Sequence, residues 1–395
     1  MVVLMEEIER EIIEIAKELI PIKAISPESG GEGESERAKY LSSKLREWGV
    51  KHKIYTYKDR TGTSRPNIIA SNGNIKESIT VIAHTDTVVA GDINEWKTDP
   101  FNAVVKNGNI YGRGTEDNGT GIIAGMLALK NLSESDRSKY SMKLVLAADE
   151  EVGSEYGVQA LIKDNLFRSD KMFIVPDWGT KSGSDIEVAE KGRLWLKFTV
   201  KGKQTHASTP DRGINAAKIG SALALEIDSD LHKRFCVRNT IFDPPESTFE
   251  ITKREANVGS INIIPGKDVF NMDMRILPEY APDKVLKAVR EVMRKSKANV
   301  QLDVIEKSEP SKMGSKSSII PILSKSINDV LGVSPNKVGI GGGTVAAYLR
   351  YAGKDAVVWG IEDGMAHEPN EYARIENIKR TITVLNRIFL PGKSK

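Results

Sequence analysis

The chain has 395 residues, 39% of them hydrophobic, and 57 Lys and Arg set against 54 Asp and Glu leave a formal charge of +3. That length exceeds one ordinary core and predicts two domains, with one inserted in the other. Near-neutral, interleaved charge speaks against a nucleic-acid stripe or an anionic-membrane face, and no uncharged run approaches the roughly 20 residues of a membrane span.

The apolar start at residues 1–5 meets Glu6 and Glu7 too soon for the core of a signal peptide. One cysteine, Cys236, excludes an intramolecular disulfide and fits a reducing, cytoplasmic setting. In chain order, Ile8, Ile12, Ile15 and Leu19 recur at helical spacing and predict an opening amphipathic helix. A loop at 26–31 ends it, and a second helix is expected over 35–48, stopping at Gly49. Residues 50–57 and 67–70 read as strands.

The uncharged, β-branched run 78–83 predicts a buried parallel strand that ends on His84-Thr85-Asp86. Side chains two apart on a strand share a face, so His84 and Asp86 come together at its carboxyl end. A carboxylate there can hold one imidazole nitrogen and leave the other for a metal. Next come Gly112-Arg113-Gly114-Thr115-Glu116-Asp117 and a small-residue helix over 120–130, with glycines that let the backbone approach a site closely. The run 142–148 is a further buried strand delivering Asp149-Glu150-Glu151, and 171–175 delivers Asp177 in the same manner. Three strand ends therefore bring acidic or histidine side chains to one rim, where open α/β sheets bind ligands.

The pattern changes near residue 185. Strand-rich 187–200, a helix over 214–227, strands at 260–264 and 269–275 around Pro265-Gly266, a helix over 283–296 and a strand at 300–304 follow in turn. This order predicts a ferredoxin-like α+β unit with a four-stranded antiparallel sheet. After Pro310 long helices resume, with the glycine run 339–343, a strand at 355–360 and a last helix from about 374. The expected architecture is a mixed-sheet α/β domain made of 1–185 and 310–395, interrupted by an inserted α+β domain at 186–309.

Collected, the candidates for chemistry are His84, Asp117, Glu151, Asp177 and His367, with Asp86 and Glu150 beside them. Two histidines and three carboxylates could bind two divalent ions if one carboxylate bridges, leaving an open position for water. Only five histidines occur in the chain, so two in such settings carry information.

In this order and at this spacing, from His84-Thr85-Asp86 to His367-Glu368-Pro369-Asn370-Glu371, nearly the whole chain resembles one enzyme family. Its members are the zinc-dependent aminoacylases, N-succinyl-diaminopimelate desuccinylases, acetylornithine deacetylases and carboxypeptidase G-type enzymes. The resemblance implies that His84 and Asp177 hold one zinc, Glu151 and His367 the other, and that Asp117 bridges. Cobalt or manganese would substitute for zinc. Asp86 would orient His84, and Glu150 would be the general base that moves a proton from water to the leaving amine. The Asp117-Asn118 peptide would be cis.

The segment Lys201-Gly202-Lys203-Gln204-Thr205-His206 resembles the family stretch whose histidine crosses a dimer interface, so His206 would act as an oxyanion donor in trans and the inserted domain would be lid and dimer contact. Asn262 matches an assisting asparagine, and Arg275 an anchor for a substrate carboxylate, with Arg193 either a helper or a partner in a surface salt bridge. Gly342-Gly343-Thr344 resembles a loop lining the substrate, and lacks the Lys-Ser/Thr of a phosphate loop. The function implied is two-metal hydrolysis of an amide bond in a small N-acyl amino acid or short peptide, with no nucleic-acid or membrane partner. Asp177 stands where many desuccinylases, acetylornithine deacetylases and carboxypeptidases of the family carry glutamate, while family aminopeptidases and dipeptidases more often carry aspartate. Against an inactive binding protein stand intact Glu150, Glu151 and both histidines. Against a metallophosphatase stands the lack of clustered Arg or Lys in these motifs.

Overall fold

The computed structural model describes residues 2–72, 75, 77–135, 137–296 and 298–391. Strands are numbered in chain order. The main sheets draw first on β1 (His52–Lys58), β2 (Ser64–Asn72), β3 (Ser78–His84), β4 (Ser141–Ala147), β5 (Met172–Gly179) and β6 (Asp185–Glu190). Then come β7 (Gly192–Lys201), β8 (Thr248–Arg254), β9 (Lys267–Ile276), β10 (Val300–Ser308) and β11 (Asp355–Gly360). The longer helices are α1 (Val2–Leu19), α2 (Ser35–Glu47), α3 (Gly121–Ser133), α4 (Val158–Lys163), α5 (Ala216–Arg234), α6 (Pro282–Ser296), α7 (Ile319–Leu331), α8 (Val345–Tyr351) and α9 (Ile375–Phe389). The chain divides into two units, one of Met1–Val188, Met313–Lys337 and Thr344–Lys395, the other of Ala189–Lys312 and Val338–Gly343.

In the first unit the strands run in the order β1-β2-β4-β3-β5-β11-β6. The three central pairings, β3 with β4, β3 with β5 and β5 with β11, are parallel, while β1/β2 and β2/β4 are antiparallel. Central parallel strands are covered on both faces, which is why 79–84 are buried without alternation. The register sets His84 opposite Ala147, so β3 and β4 end level and their two following loops meet. The small-residue helix α3 is buried along residues 121–129 and packs against β3, β4 and α9. Gly125 permits that approach, since a Cβ there would lie 2.7 Å from a Leu144 methyl.

The second unit is an antiparallel sheet in the order β8-β9-β7-β10, with α5 and α6 between its strands in sequence. β7 alternates buried and half-buried residues, and its inward Leu194, Leu196, Phe198 and Val200 meet Phe270, Met272 and Met274 of β9 and Val285 and Val289 of α6. Phe198 and Phe270 stack with centroids 4.6 Å apart. The second strand of this sheet is not 260–264 but 248–254. That strand is hard to read because it is an edge: only Phe249 is buried and its other side chains are polar or exposed. The apolar-looking 260–264 yields just the two-residue strand Ile263–Ile264, with Ile261 fully exposed. Helix α5 also runs on to Arg234, beyond the expected 227.

One close approach ties the sheet to the candidate centre. Asp177 lies two residues before Gly179 on β5, and a Cβ on Gly179 would sit 2.1 Å from the Gly360 carbonyl of β11. Gly179→Ala is expected to cost about 1–3 kcal/mol of stability by overpacking. Urea unfolding measures it, and a variant as stable as the parent would contradict the contact.

Candidate metal centre

The end of β3 is tied to the end of β4 by Thr85, whose amide and hydroxyl both donate to the Ala147 carbonyl at 2.7 and 3.0 Å. Asp149 then turns the chain at φ 71, and Glu150–Val152 form a single 3-10 turn. A non-glycine residue in that left-handed region costs roughly 1–3 kcal/mol and persists only where its surroundings over-determine it. Part of that determination comes from Asp86. Its Oδ1 accepts the Glu150 amide and its Oδ2 the Glu151 amide, each at 3.0 Å.

This changes how Asp86 serves His84. The nearest acceptor to His84 Nδ1 is the Asp86 carbonyl at 3.1 Å, with the Asp86 carboxylate at 3.4 Å. The expected carboxylate–imidazole pairing is thus shared with the Glu150–Glu151 turn, and His84 still presents Nε2 to the centre. That nitrogen lies 2.7 Å from Asp117 Oδ1 and 3.0 Å from Asp177 Oδ1. On the other side His367 Nε2 lies 3.1 Å from Asp117 Oδ2 and 3.2 Å from Glu151 Oε2. Two sets result, His84-Asp117-Asp177 and Asp117-Glu151-His367, and each Asp117 oxygen faces one of them. Glu150 stands beside the cluster, and among the described residues its carboxylate makes no hydrogen bond.

Two loops carry Asp117 and His367, and each is held by a carboxylate from the other. Glu371 Oε2 accepts Arg113 Nη1 at 2.7 Å and the Gly114 amide at 3.0 Å, while Oε1 accepts the Glu116 and Asp117 amides at 2.9 and 3.1 Å. In return Glu116 accepts the Asp363 amide at 2.6 Å and the Met365 amide. Arg113 also donates to the His367 carbonyl at 3.2 Å. Asn370 pins the same segment, accepting the Lys97 amide at 2.7 Å and donating to the Glu95 carbonyl at 2.8 Å. The Asp117-Asn118 peptide is cis, and the Asn118 amide group donates to the Pro176 carbonyl at 2.7 Å and to Asp177. Glu116, Glu371 and Asn118 are supports that sequence reasoning did not assign. All three lie in or beside the motifs quoted for Asp117 and His367, but nothing in their spacing says whose amides they meet.

The donor set fits divalent ions. Ligands bonded at about 2.0 Å around one tetrahedral ion lie roughly 3.3 Å apart, close to the His-to-carboxylate spacings here. Charge points the same way. Five carboxylates (Asp86, Asp117, Glu150, Glu151 and Asp177) face two imidazoles, an excess of negative charge most of which two dications would offset. Burial, with the charge of Asp177 adding, pushes Glu150 well above the usual carboxylate range, and burial likewise raises Glu151 and Asp177. Burial also opposes ionisation of Asp117, but hydrogen bonds from His367 and His84 outweigh it and hold that carboxyl low. Hydrogen bonds to Asp117 and Glu151 raise His367 to about 10, and on His84 the pull of Asp177 and Asp117 outweighs burial and raises it too.

Comparison with known proteins agrees with that chemistry. Residues 80–390 match the family described as peptidase family M20/M25/M40. The chain belongs to this family. An uncharacterised metallohydrolase of Methanocaldococcus jannaschii is 39% identical over 404 residues, covering 96% of this chain and 98% of that one. A succinyl-diaminopimelate desuccinylase of Sulfurimonas denitrificans is 27% identical, covering 78% of this chain and 82% of its own. Among solved structures, an M20 family metallo-carboxypeptidase from Sulfolobus solfataricus superposes with a TM-score of 0.76 at 23% identity, over 95% of this chain and 98% of that one. As a member of the M20 family the chain is a metal-dependent hydrolase of the peptidase and amidohydrolase kind. Among the described residues no helix is long and apolar enough to cross a membrane.

The other residues singled out from the sequence fall in the second unit, except Thr344. His206 is exposed, sits in the two-residue strand Thr205–His206 opposite Ile263, and neighbours Asn262, whose carbonyl accepts the Ala207 amide at 2.8 Å. Arg193 and Arg275 are directly opposite on β7 and β9. Arg275 is already engaged by Asp273, at 2.7 and 3.0 Å, and by the Gly341 carbonyl at 2.8 Å, while Arg193 pairs with Glu306 at 3.1 Å. Gly342 and Gly343 are exposed, and Thr344 caps α8 by accepting the Ala346 amide at 3.1 Å.

Two measurements follow from the centre's electrostatics and supports. With His367 held at about 10, an ion entering near neutral pH must displace a proton, so affinity should climb with pH by about tenfold per unit for each proton released. Calorimetric titration of stripped protein in buffers of different ionisation enthalpy reads that release directly, and a buffer-independent heat would contradict it. Glu371→Ala strands Arg113 and three amides and is expected to cost about 3–5 kcal/mol, read by urea unfolding.

Proposed function

We propose that the protein is a two-metal amidase that hydrolyses the amide or peptide bond of a small N-acyl amino acid or a short peptide, with Glu150 as general base. In this reading His84 and Asp177 hold one ion, Glu151 and His367 the other, and Asp117 both. Zinc is the first choice for such nitrogen and oxygen donors, with cobalt or manganese able to replace it. When bound, the ions supply Lewis acidity and make water a nucleophile near neutral pH.

The observation that carries the reading is the turn Glu150–Val152. Asp86 grips two successive amides, so one carboxylate, Glu151, joins the cluster while its neighbour Glu150 stays unengaged beside it. A carboxyl raised by burial is suited to accept a proton from the attacking water and to return it to the departing amine nitrogen. Asp86 keeps His84 and the Glu150–Glu151 turn in register, so attack and proton transfer share one frame. The second unit is proposed as lid and homodimer contact, with His206 of one protomer donating to the oxyanion in its partner and Asn262 steadying that histidine. Support for this comes from the resemblance of the Lys201 to Ser208 segment and from the exposure of His206. Arg275, with Arg193 and the loop Gly342-Gly343-Thr344, is proposed to receive the substrate's carboxylate end.

Stripped protein reconstituted with zinc, cobalt or manganese is to be screened on dipeptides and on N-acetyl and N-succinyl amino acids. Amide cleavage is expected to depend on added metal, and absence of cleavage with every metal would sink the proposal. Glu150→Gln is expected to lose about 10²–10⁴-fold in kcat while still binding two ions. Mixing His206→Ala with Glu150→Ala subunits is expected to restore part of the activity, because a mixed dimer contains one complete site. Failure of that mixture, with subunit exchange verified, would reject the action in trans.

A further inference from the structure

The Glu150–Glu151 turn rests on a buried ion cluster that the proposed reaction does not itself use. Arg65 on β2 is wholly buried, and four carboxylates from other stretches of the chain close on its guanidinium, Glu28 among them at 3.4 Å. Glu34, immediately before α2, takes the fork with both oxygens: Nε reaches Oε2 at 2.9 Å and Nη2 reaches Oε1 at 2.6 Å. Nη1 lies 2.9 Å from Asp149 Oδ1 and 3.8 Å from Asp59 Oδ2. Glu34 and Asp149 are also joined, since the Asp149 amide donates to Glu34 Oε1 at 3.3 Å. The second Asp149 oxygen accepts the Tyr156 amide at 2.8 Å, and its carbonyl accepts the Ser154 amide at 2.5 Å.

Asp149 is thus held through its side chain, its amide and its carbonyl at once. It needs to be, because its backbone occupies the left-handed region at φ 71, which a non-glycine residue keeps only under such constraint. The direction in which Glu150 and Glu151 leave β4 is set at this residue. Asp86 grips the two amides that follow Asp149, while the hold on Asp149 itself comes from Glu34, Arg65, Tyr156 and Ser154.

We infer that Arg65 is a positioning residue: through Asp149 it aims the Glu150–Glu151 turn, and so sets both the reach of the base and the hold of Glu151 on its ion. This rests on the roles proposed above for Glu150 and Glu151. A cluster that only stabilised the fold would change the unfolding free energy and leave the folded enzyme's constants alone.

Two variants test it in the full-length protein, with folding checked by circular dichroism. Arg65→Lys keeps the charge and loses the planar fork. Asp149→Asn keeps an acceptor for the Tyr156 amide and loses the ion pair. Stripped protein is titrated with Zn²⁺, and each variant is expected to bind one ion as the parent does and the other about 10–100-fold more weakly. For the most active amide found in the screen, kcat is expected to fall by a similar factor with KM within about twofold of the parent. The double variant should lose no more than the worse single variant, because both act on one link. Folded variants with parental affinity for both ions and parental kcat would overturn the inference. If Arg65→Lys does not fold, Asp149→Asn decides alone. Should Glu150→Gln stay active, the proposed base is wrong, whereas the zinc titration still reads on Arg65 through Glu151.

Discussion

On the sheet side, the centre depends on one carboxylate accepting two successive amides. Asp86 takes the Glu150 and Glu151 amides on its two oxygens while remaining two residues from His84. Two strands that end level are thereby locked, and the spacing between the imidazole of one and the acids of the other becomes a property of the backbone. The cost of burying Asp86 is offset by those donors and by the Arg37 guanidinium, which donates to the neighbouring Thr85 carbonyl at 2.9 Å. Removing any one of these groups leaves a buried charge or amide without its partner. That asymmetry makes the arrangement rigid without making it especially stabilising.

The same device recurs on the opposite side. Glu371 collects three amides from the Asp117 loop, and Glu116 collects two from the segment that carries His367. Irregular backbone can hold a ligand only if its own polar groups are satisfied, and carboxylates crossing between two loops satisfy several at once. His367 and Asn370 both adopt positive φ, at 66° and 62°, which shows how far this segment departs from regular structure. Its position is set by these hydrogen bonds, where that of His84 is set by the sheet.

How much of this was legible follows from the physics of each part. The central strands were readable because parallel strands covered on both faces leave uninterrupted apolar runs, and the acids at their ends stood out against them. The ligand candidates were readable as a set because divalent ions draw on few side-chain types, and with a single cysteine in the chain those are histidine and carboxylate. What was not legible was long-range partnership. Glu34 and Arg65, or Glu116 and Asp363, are separated by tens to hundreds of residues, and nothing local marks which carboxylate will be buried beside which amide. The edge strand 248–254 escaped for the complementary reason. With one face polar and a bulge between Ile251 and Lys253, its pattern lacks the period of two that betrays interior strands.

The two halves of the centre also differ in how they meet solvent. His84 is 3% exposed at the end of a central strand, whereas the His367 side chain is 55% exposed on a loop. The His84-Asp117-Asp177 set is therefore walled in by the sheet, and the Asp117-Glu151-His367 set faces outward, as would any ions they held. Glu151 belongs to the outward half yet leaves from the same turn as Glu150, whose carboxyl is raised by burial. With the roles proposed for them, a turn that sets Glu150 beside the closed half and Glu151 in the open half would join the approach of a substrate to the transfer of a proton. Such a demand on direction would account for the number of buried charges that hold the few residues around Asp149.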